Sequence, residues 1–214
     1  MPESPAPAPR GRFVTIEGGE GAGKSTQARR LQAMLEAHGE QVLLTREPGG
    51  TPGAEALRSL LLTGEFGWTP LAETLLHFAA RADHVAQVIR PALDAGSWVV
   101  CDRFSDSTMV YQGDGQGADI ADITALTAML RLRPDLTLVL DVPVEVSMAR
   151  MTRRGIAPDR YERLGEIFFA RLRQGFIDVA EANPDRCVLL AADGDADAVG
   201  DAVWQAVRSR LGVA

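Results

Sequence analysis

A glycine-rich loop near residue 20 restricts the folds that this chain can adopt. Residues 18–25 read Gly-Gly-Glu-Gly-Ala-Gly-Lys-Ser, which matches the pattern G-x-x-x-x-G-K-[ST] in full. The apolar run 13–17 before the loop predicts a buried strand, and residues 26–37 after it predict a helix. Because a phosphate-binding loop requires this order of strand, loop and helix, we interpret residues 18–25 as such a loop rather than as a turn that matches by chance.

The chemistry of such a loop predicts its ligand. The glycines allow the backbone to curl so that successive N–H groups point into one anion-sized hollow at the N-terminus of a helix. Lys24 can then reach the β- and γ-phosphates of a nucleoside triphosphate, and the Ser25 hydroxyl can ligate Mg²⁺. We therefore expect a triphosphate site with Mg²⁺ as the cofactor. The predicted nucleotide-binding residues are Gly18, Gly19, Glu20, Gly21, Ala22, Gly23, Lys24, Ser25 and Thr26.

Length and charge limit the class of protein. A chain of 214 residues with 46% hydrophobic residues is long enough for one α/β domain with a real core. The net charge of -7 argues against a nucleic acid polymer as a partner, because binding to a polyanion requires a basic surface. No run of 18 apolar residues occurs, so we expect no membrane segment.

The first residues and the cysteines favour a cytoplasmic protein. Residues 1–11 are proline-rich and lack the apolar stretch of a signal peptide, which predicts a disordered tail before a single domain over residues 12–214. Cys101 and Cys187 both lie in apolar runs, so we interpret them as buried hydrophobic residues rather than as a disulfide or a metal pair. A reducing compartment fits this cysteine usage.

Strands and helices alternate along the rest of the chain. Uninterrupted apolar strands between helices are typical of a parallel sheet covered on both faces, so we predict an α/β fold with a five-stranded parallel sheet flanked by helices. A kink or break is expected at Pro91. The predicted strands are 13–17, 41–45, 98–102, 136–140 and 187–191, and the predicted helices are 26–37, 55–62, 71–95, 120–132, 144–154, 161–183 and 197–211.

A carboxylate at the end of a strand is the usual partner of Mg²⁺ in a P-loop protein. Asp102 and Asp141 both end predicted strands. We favour Asp102 because Arg103 follows it at once, which places a carboxylate and a guanidinium at the edge of the sheet where ligands of open α/β folds bind. The alternative is that Asp102 caps the following turn and that Arg103 is a surface charge.

Residues after the second strand and on the next long helix predict a site for a second substrate. The segment 46–51 opens on the same edge of the sheet as the P-loop and carries a guanidinium and a carboxylate. His77 and Arg81 are four residues apart and share a helix face, and Phe78 precedes Arg81 by three. A flat ring beside an arginine suits a nucleobase, which stacks and accepts a hydrogen bond. The alternative is that Phe78 belongs to the core and that Arg81 is solvated.

Taken together, these segments resemble the bacterial thymidylate kinases from residue 13 to the C-terminus. The Arg-Glu-Pro-Gly-Gly-Thr run at 46–51 and the Tyr-Gln-Gly at 111–113 separate this family from adenylate and guanylate kinases, which a P-loop alone does not. The resemblance implies a P-loop nucleoside-monophosphate kinase fold, phosphoryl transfer from ATP–Mg²⁺ to thymidine 5′-monophosphate (TMP) for dTTP synthesis, and a homodimer formed by helices. The segments that carry it are 17–26, 45–51, 78–81, 102–104 and 107–113.

The resemblance also implies roles for the residues that bind the acceptor TMP. Arg103 and Arg58 would hold the acceptor phosphate, with Glu47 orienting them. Arg81 would read the thymine. The residues that would lie along the base and the sugar are Ser107, Thr108 and Gln112.

Two features of the acceptor site concern the sugar and the stacking ring. Glu20 would meet the 3′-hydroxyl of the deoxyribose, and Tyr111 would pack where a ribose 2′-hydroxyl projects, unless Tyr111 is a core residue with a locally satisfied hydroxyl. The family usually carries phenylalanine four residues before the base-reading arginine, where this chain has His77. Either His77 or the adjacent Phe78 would therefore stack on the base.

Residues 150–162 form a basic, glycine-containing segment that resembles the lid of this family. Because the P-loop has no arginine of its own, the resemblance implies that Arg153 or Arg154 closes over ATP and neutralises charge in the transition state. The alternative is a solvated helix end whose positive charge favours the C-terminal dipole. The attacking phosphate oxygen is already ionised, so no general base is expected. The implied catalytic residues are Lys24, Arg103, Arg153 and Arg154.

Overall fold

A parallel sheet of five strands forms the centre of the computed structural model, which describes residues 10–155 and 160–213. The strands are β1 (Phe13–Glu17), β2 (Val42–Arg46), β3 (Trp98–Asp102), β4 (Leu136–Asp141) and β5 (Cys187–Ala191). Their order in the sheet is β2-β3-β1-β4-β5, and all four neighbouring pairs are parallel. The carboxyl ends of the central strands therefore meet at one edge, as the sequence predicts.

Helices connect the strands and cover both faces of the sheet. The α-helices are α1 (Lys24–Ala37), α2 (Pro52–Thr63), α3 (Pro70–His84), α4 (Arg90–Asp94), α5 (Ser105–Thr108), α6 (Ile120–Met129), α7 (Val144–Arg154), α8 (Glu166–Ala182) and α9 (Ala196–Leu211). A π-helical segment, Val85–Ile89, joins α3 to α4, and another, Met109–Gly115, follows α5. A 3₁₀ turn, Glu162–Leu164, precedes α8.

The two faces of the sheet are buried by different helices. Val14 and Ile16 of β1 pack with apolar residues of α1 and α9. Phe13, on the opposite face, packs with Ile89 and Leu93 from the segment before β3. The apolar side chains of α8 cover the same opposite face beside β4. This two-sided burial is the physical reason that the strands read as uninterrupted apolar runs, and it confirms the predicted fold class.

Several boundaries differ from the prediction by a few residues, and three helices differ in ways that the backbone explains. The helix predicted for 71–95 runs from α3 through the π-helical segment into α4 without a gap, so no break occurs at Pro91, which lies just after the π-helical segment. The helix predicted for 161–183 is wrong at its start, because Gly165 adopts a φ of 81° between the 3₁₀ turn and α8. The helix predicted for 120–132 ends at Met129, shortly before Arg131, whose φ of 49° lies in the left-handed region.

Residues 1–9 of the predicted tail and residues 156–159 of the predicted lid lie outside the described residues. Gly11 is buried, and its N–H donates to the Leu93 carbonyl at 2.8 Å, so the folded domain includes this residue of the predicted tail. Cys101 and Cys187 are both buried and free of a disulfide, as predicted. Within the described part of the chain, no helix has both the length and the apolar character needed to cross a membrane.

Candidate active site

The P-loop is wedged between β4 and α7 in a way that only glycine permits. Gly18 has a φ of 136°, and a Cβ atom there would lie 2.5 Å from the Leu140 carbonyl oxygen. Gly21 has a φ of 68°, and its Cβ would lie 2.6 Å from the Ser147 carbonyl oxygen. Both positions combine a backbone conformation that disfavours side chains with contacts too close for one. The glycine pattern therefore has a steric cause in this fold.

Lys24 begins α1 with its side chain inside the loop. The residue is 7% exposed, and Nζ donates to the Gly19 carbonyl at 2.6 Å. Burial and the positive charge of Arg103 lower the pKa of Lys24 to about 8. Phosphate oxygens beside this ammonium would favour its charged form, so its position suits an anionic ligand.

Ser25 and Asp102 meet at the carboxyl edge of the sheet. The Ser25 hydroxyl donates to Oδ2 of Asp102 at 2.5 Å. Asp141, the other strand-end carboxylate, is instead held by Arg173 through two bonds of 2.7 and 2.9 Å. The geometry therefore favours Asp102 over Asp141 as the partner of a metal. The described residues contain no group of three His, Cys, Asp or Glu side chains that could hold a metal ion, so Mg²⁺ here would keep water and phosphate as most of its ligands.

Arg103 has a backbone conformation that few side-chain-bearing residues adopt. Its φ is 72°, and its N–H donates to the Ile16 carbonyl at 3.0 Å. The guanidinium donates to Glu20 at 2.5 Å and to the Tyr111 hydroxyl at 3.0 Å. Burial opposes ionisation of Glu20, but the charges of Arg103 and Lys24 outweigh it and lower the pKa of Glu20 to about 2. Arg103 therefore joins the end of β3 to the P-loop as a fixed positive charge.

A cavity, here called the inner cavity, lies beside the P-loop. A second and wider hollow, here called the P-loop cleft, runs over the loop itself. Glu20, Glu47, Arg58, Leu62 and Arg103 line both, so the two spaces adjoin. The inner cavity is also lined by Pro48, His77, Arg81, Ser107, Thr108, Tyr111, Gln112 and Tyr161.

Arg81 reaches the inner cavity from α3 and is fixed on two sides. Its Nε donates to Oε2 of Glu47 at 2.6 Å, and its Nη2 donates to the Phe104 carbonyl and the Thr108 hydroxyl, both at 3.0 Å. The side chain is 2% exposed. Nη1 is buried and has no hydrogen-bond partner among the described residues. Because an unpaired buried donor is costly, a hydrogen bond to a ligand would satisfy Nη1, and Arg81 is one of the residues that line the inner cavity.

His77 and Phe78 take different places. His77 lines the inner cavity, and its Nε2 lies 3.0 Å from the Tyr161 hydroxyl. Burial and the charge of Arg81 lower the pKa of His77 to about 3, so its ring is neutral near pH 7. Phe78 is not among the described residues that line the cavity, and its ring lies 4.8 Å from the guanidinium carbon of Arg81. His77 is therefore the ring available to a ligand, while Phe78 supports Arg81.

Comparisons with known proteins agree with this geometry. The family model described as thymidylate kinase matches residues 16–203. The chain belongs to the thymidylate kinase family. A thymidylate kinase of Bradyrhizobium sp. (strain ORS 278) is 56% identical over 210 residues, covering 94% of this chain and 92% of the relative. A thymidylate kinase of Caulobacter vibrioides is 50% identical over 207 residues, covering 95% and 99%.

A solved structure supports the same family. The crystal structure of thymidylate kinase from Ehrlichia chaffeensis has a TM-score of 0.75 to this chain, with 35% sequence identity. The match covers 93% of this chain and 99% of that structure. The P-loop nucleoside-monophosphate kinase fold and the family of kinases expected from the sequence are therefore confirmed.

The described arginines of the lid segment differ in where they lie. Arg154 lines the P-loop cleft, and its Nη2 donates to Glu162 at 2.5 Å. Arg153 is exposed and is not among the described residues lining the cleft. Arg150 also lines the cleft, with its guanidinium held by backbone carbonyls that include Ala192 at 2.8 Å. Of the two arginines that the sequence left as alternatives, the geometry favours Arg154.

Sequence reasoning missed a set of buried polar residues behind the inner cavity. Glu73 is fully buried, and it accepts hydrogen bonds from Tyr161 at 2.6 Å and from Gln112 at 3.0 Å. Glu17 is also fully buried, and its carboxylate accepts from the Ser107 hydroxyl at 2.5 Å. The signal for Glu73 was its position four residues before His77, which places both on one face of α3.

Proposed function

We propose that this chain transfers the γ-phosphate of ATP–Mg²⁺ to TMP and thereby makes thymidine diphosphate for dTTP synthesis. The observation that carries the proposal is the shared lining of the inner cavity and the P-loop cleft. Arg103, Arg58 and Glu20 belong to both, so an acceptor in the cavity would present its phosphate to a donor in the cleft. Membership of the thymidylate kinase family supports thymine as the base.

The acceptor nucleotide would lie with its phosphate towards Arg103 and Arg58. The Arg58 guanidinium donates to the Pro48 carbonyl at 2.8 Å, which fixes its direction beside Glu47. The base would lie against His77, with the free Nη1 of Arg81 donating to an exocyclic oxygen. Glu20 and Tyr111, bonded to each other at 2.8 Å, would meet the sugar.

Mg²⁺ would be held by the Ser25 hydroxyl, with Asp102 acting through water. When bound, the ion would neutralise charge on the β- and γ-phosphates. The chain's own contribution is to position the two nucleotides and to place positive charge at the transferring group. Lys24, Arg103 and Arg154 all line the P-loop cleft, which supports a role for them in supplying that charge.

One coupled assay tests the reaction and the identity of the acceptor. ADP release from ATP is measured with TMP, UMP, CMP, AMP or GMP as the acceptor, and with no acceptor. We expect TMP to give the highest kcat/KM and ATP consumption to be negligible without an acceptor. A preference for another monophosphate would reject the substrate, and steady hydrolysis without any acceptor would favour an ATP-driven switch protein instead.

Two lid variants test the role of Arg154 against a matched control. Arg154→Met keeps much of the side-chain volume and removes the charge that lines the P-loop cleft. Arg153→Met makes the same change at the adjacent exposed position. We expect kcat to fall on the order of 10²-fold for Arg154→Met, with a smaller change in the KM for ATP, and to change little for Arg153→Met. Equal effects of the two substitutions would reject the assignment.

We also propose a cytoplasmic homodimer that uses α3 at its interface. Leu71 and Leu75 are 49% and 47% exposed, and their spacing puts them on one face of α3. Analytical ultracentrifugation should give twice the monomer mass, and Leu75→Glu should reduce it to one chain. A monomeric parent protein would reject the dimer, and recovery of the native protein in a membrane fraction would reject the location.

A further inference from the structure

The carboxylate of Glu73 contacts donors from two segments of the chain, residues 112–116 and residues 160–161. It is fully buried on α3. Its Oε1 accepts from Tyr161 at 2.6 Å, from Gln112 at 3.0 Å and from Gln116 at 2.8 Å. Its Oε2 forms an ion pair with Arg160 at 2.5 Å. Every one of these partners is a donor, so the site is built for an ionised carboxylate.

The hydrogen on the Tyr161 hydroxyl fixes the form of His77. A phenol has one hydrogen, and Tyr161 donates it to Glu73. The Tyr161 oxygen must then accept from its other polar neighbours, which include Nε2 of Gln112 at 3.2 Å and Nε2 of His77 at 3.0 Å. His77 therefore carries its hydrogen on Nε2. The chain of bonds runs from the Glu73 carboxylate through the tyrosine to the imidazole.

Two lining residues of the inner cavity, Gln112 and Tyr161, thus contact Glu73 directly, and a third, His77, is held through Tyr161. We propose that Glu73 is a positioning residue for the acceptor nucleotide, and that it orients these three side chains where they meet the base. The proposal rests on the proposed function, in which the inner cavity holds the acceptor.

Glu73→Gln is the first test, because it keeps the size of the side chain. Glutamine offers one acceptor oxygen, and its amide group would face donors, so at least one of the four contacts must be lost. We expect the KM for TMP to rise about ten- to a hundredfold, which corresponds to the loss of hydrogen bonds to a charged group. The KM for ATP should stay within about twofold of the parent value, because the P-loop is untouched.

Asp135→Asn provides a matched control. The Asp135 carboxylate accepts from the Phe13 N–H at 2.7 Å, at the opposite edge of the sheet from the P-loop. This substitution also replaces a hydrogen-bonded carboxylate by an amide, so it measures how much the loss of such a carboxylate destabilises the fold in general. Its melting temperature should fall while both KM values stay unchanged. A rise in the KM for TMP comparable to that of Glu73→Gln would overturn the proposal.

Tyr161→Phe tests whether Glu73 acts through the tyrosine. The variant keeps the ring, which is 5% exposed, and removes only the hydroxyl, so it remains a test even where Glu73→Gln fails to fold. We expect it to raise the KM for TMP as well. The double variant should lose little more than Glu73→Gln alone, because both changes break one chain of bonds. Full additivity of the two losses would overturn the coupling.

Nitrogen-15 NMR of the histidine rings reports the tautomer of His77, which would not change if Tyr161 had only a structural role. In the parent protein His77 should show a neutral ring with its hydrogen on Nε2 between about pH 5 and 8. Tyr161→Phe should lose this fixed tautomer. A parent protein with the hydrogen on Nδ1 would overturn the proposal, as would an unchanged KM for TMP in both variants.

The outcomes separate this inference from the proposed function. A parent enzyme that does not phosphorylate TMP rejects the function itself. A parent enzyme that phosphorylates TMP, beside a Glu73→Gln variant with parental KM values and a lower melting temperature, rejects only the role of Glu73. A joint rise in the KM for TMP and for ATP would also reject it, because a positioning residue of the inner cavity should not affect ATP.

Discussion

Replacement of His77 by phenylalanine should remove part of the acid sensitivity of this protein. The imidazole is 8% exposed, and its pKa falls from 6.5 to about 3 through burial and the charge of Arg81. Between these two values the unfolded chain binds a proton at this position and the folded chain does not. Stability from this group is therefore present above the unfolded pKa of 6.5 and is lost as the pH falls below it.

The magnitude follows from the two pKa values. One pKa unit corresponds to about 1.36 kcal/mol. Protonation of this histidine in the unfolded chain therefore lowers the unfolding free energy by about 1.4 kcal/mol at about pH 5.5 and by close to zero at about pH 7.5. Any folded pKa below about 4.5 gives nearly the same difference, because the folded ring then stays neutral at both values. His77→Phe should abolish this loss whatever its effect on stability at neutral pH.

Urea denaturation of both proteins at the two pH values measures the effect. The change in unfolding free energy from high to low pH should be about 1.4 kcal/mol more favourable in His77→Phe than in the parent. Other groups that titrate here, such as Glu17 with a pKa raised to about 7 by burial and by the charge of Asp106, are common to both proteins and cancel in the comparison. Identical pH dependence in the two proteins would refute the buried, neutral histidine.

Substitutions at three further positions follow from the site. Lys24→Ala should lower kcat on the order of 10²-fold or more with little change in melting temperature, and full activity would reject the P-loop assignment. Arg81→Ala should raise the KM for TMP but not for ATP, and it should also cost about 3–5 kcal/mol of stability because it leaves the buried Glu47 without its arginine; intact stability would reject the ion pair. Tyr111→Phe should keep the preference for TMP over its ribose analogue, whereas Tyr111→Ala should reduce this preference. Tyr111→Ala should also cost about 3–5 kcal/mol of stability, because the ring packs against Tyr161, Phe168 and Phe176. Kinetics with both nucleotides and thermal melts check these outcomes, and a preference unchanged in both Tyr111 variants would place the sugar gate elsewhere.

The sheet could be predicted from sequence because burial on both faces leaves a simple pattern. The helices at 105–115 could not, because this segment is rich in Ser, Asp and Gly, which are poor helix formers. Their start is supported by tertiary contacts, since the Glu17 carboxylate accepts from the backbone N–H groups of Phe104 at 2.7 Å and Ser107 at 3.4 Å. A buried carboxylate on a strand distant in sequence thus outweighs the low helix propensity of this segment.

The sequence predicted those residues of the candidate site whose role follows from a sequence motif. The P-loop motif identified Lys24 and Ser25 directly. The choice between His77 and Phe78 was not open to sequence, because both spacings from Arg81 are compatible with one helix face. Only the packing of α3 decides which ring reaches the inner cavity. The φ of 72° at Arg103 is equally hidden, since nothing in the sequence marks a non-glycine residue for the left-handed region.

The placement of charge explains how a chain with a net charge of -7 can handle two polyanionic nucleotides. Lys24 and Arg103 lie close enough that the arginine, together with burial, lowers the pKa of the lysine to about 8. Glu20 accepts a hydrogen bond from Arg103 at 2.5 Å, and Lys24 donates to the Gly19 carbonyl at 2.6 Å, so each cation has its own fixed partner. Phosphate oxygens at the junction of cleft and cavity would reduce the repulsion between these cations. The same fixed charges would then favour binding of both nucleotides and stabilise the negative charge that develops on the transferring group.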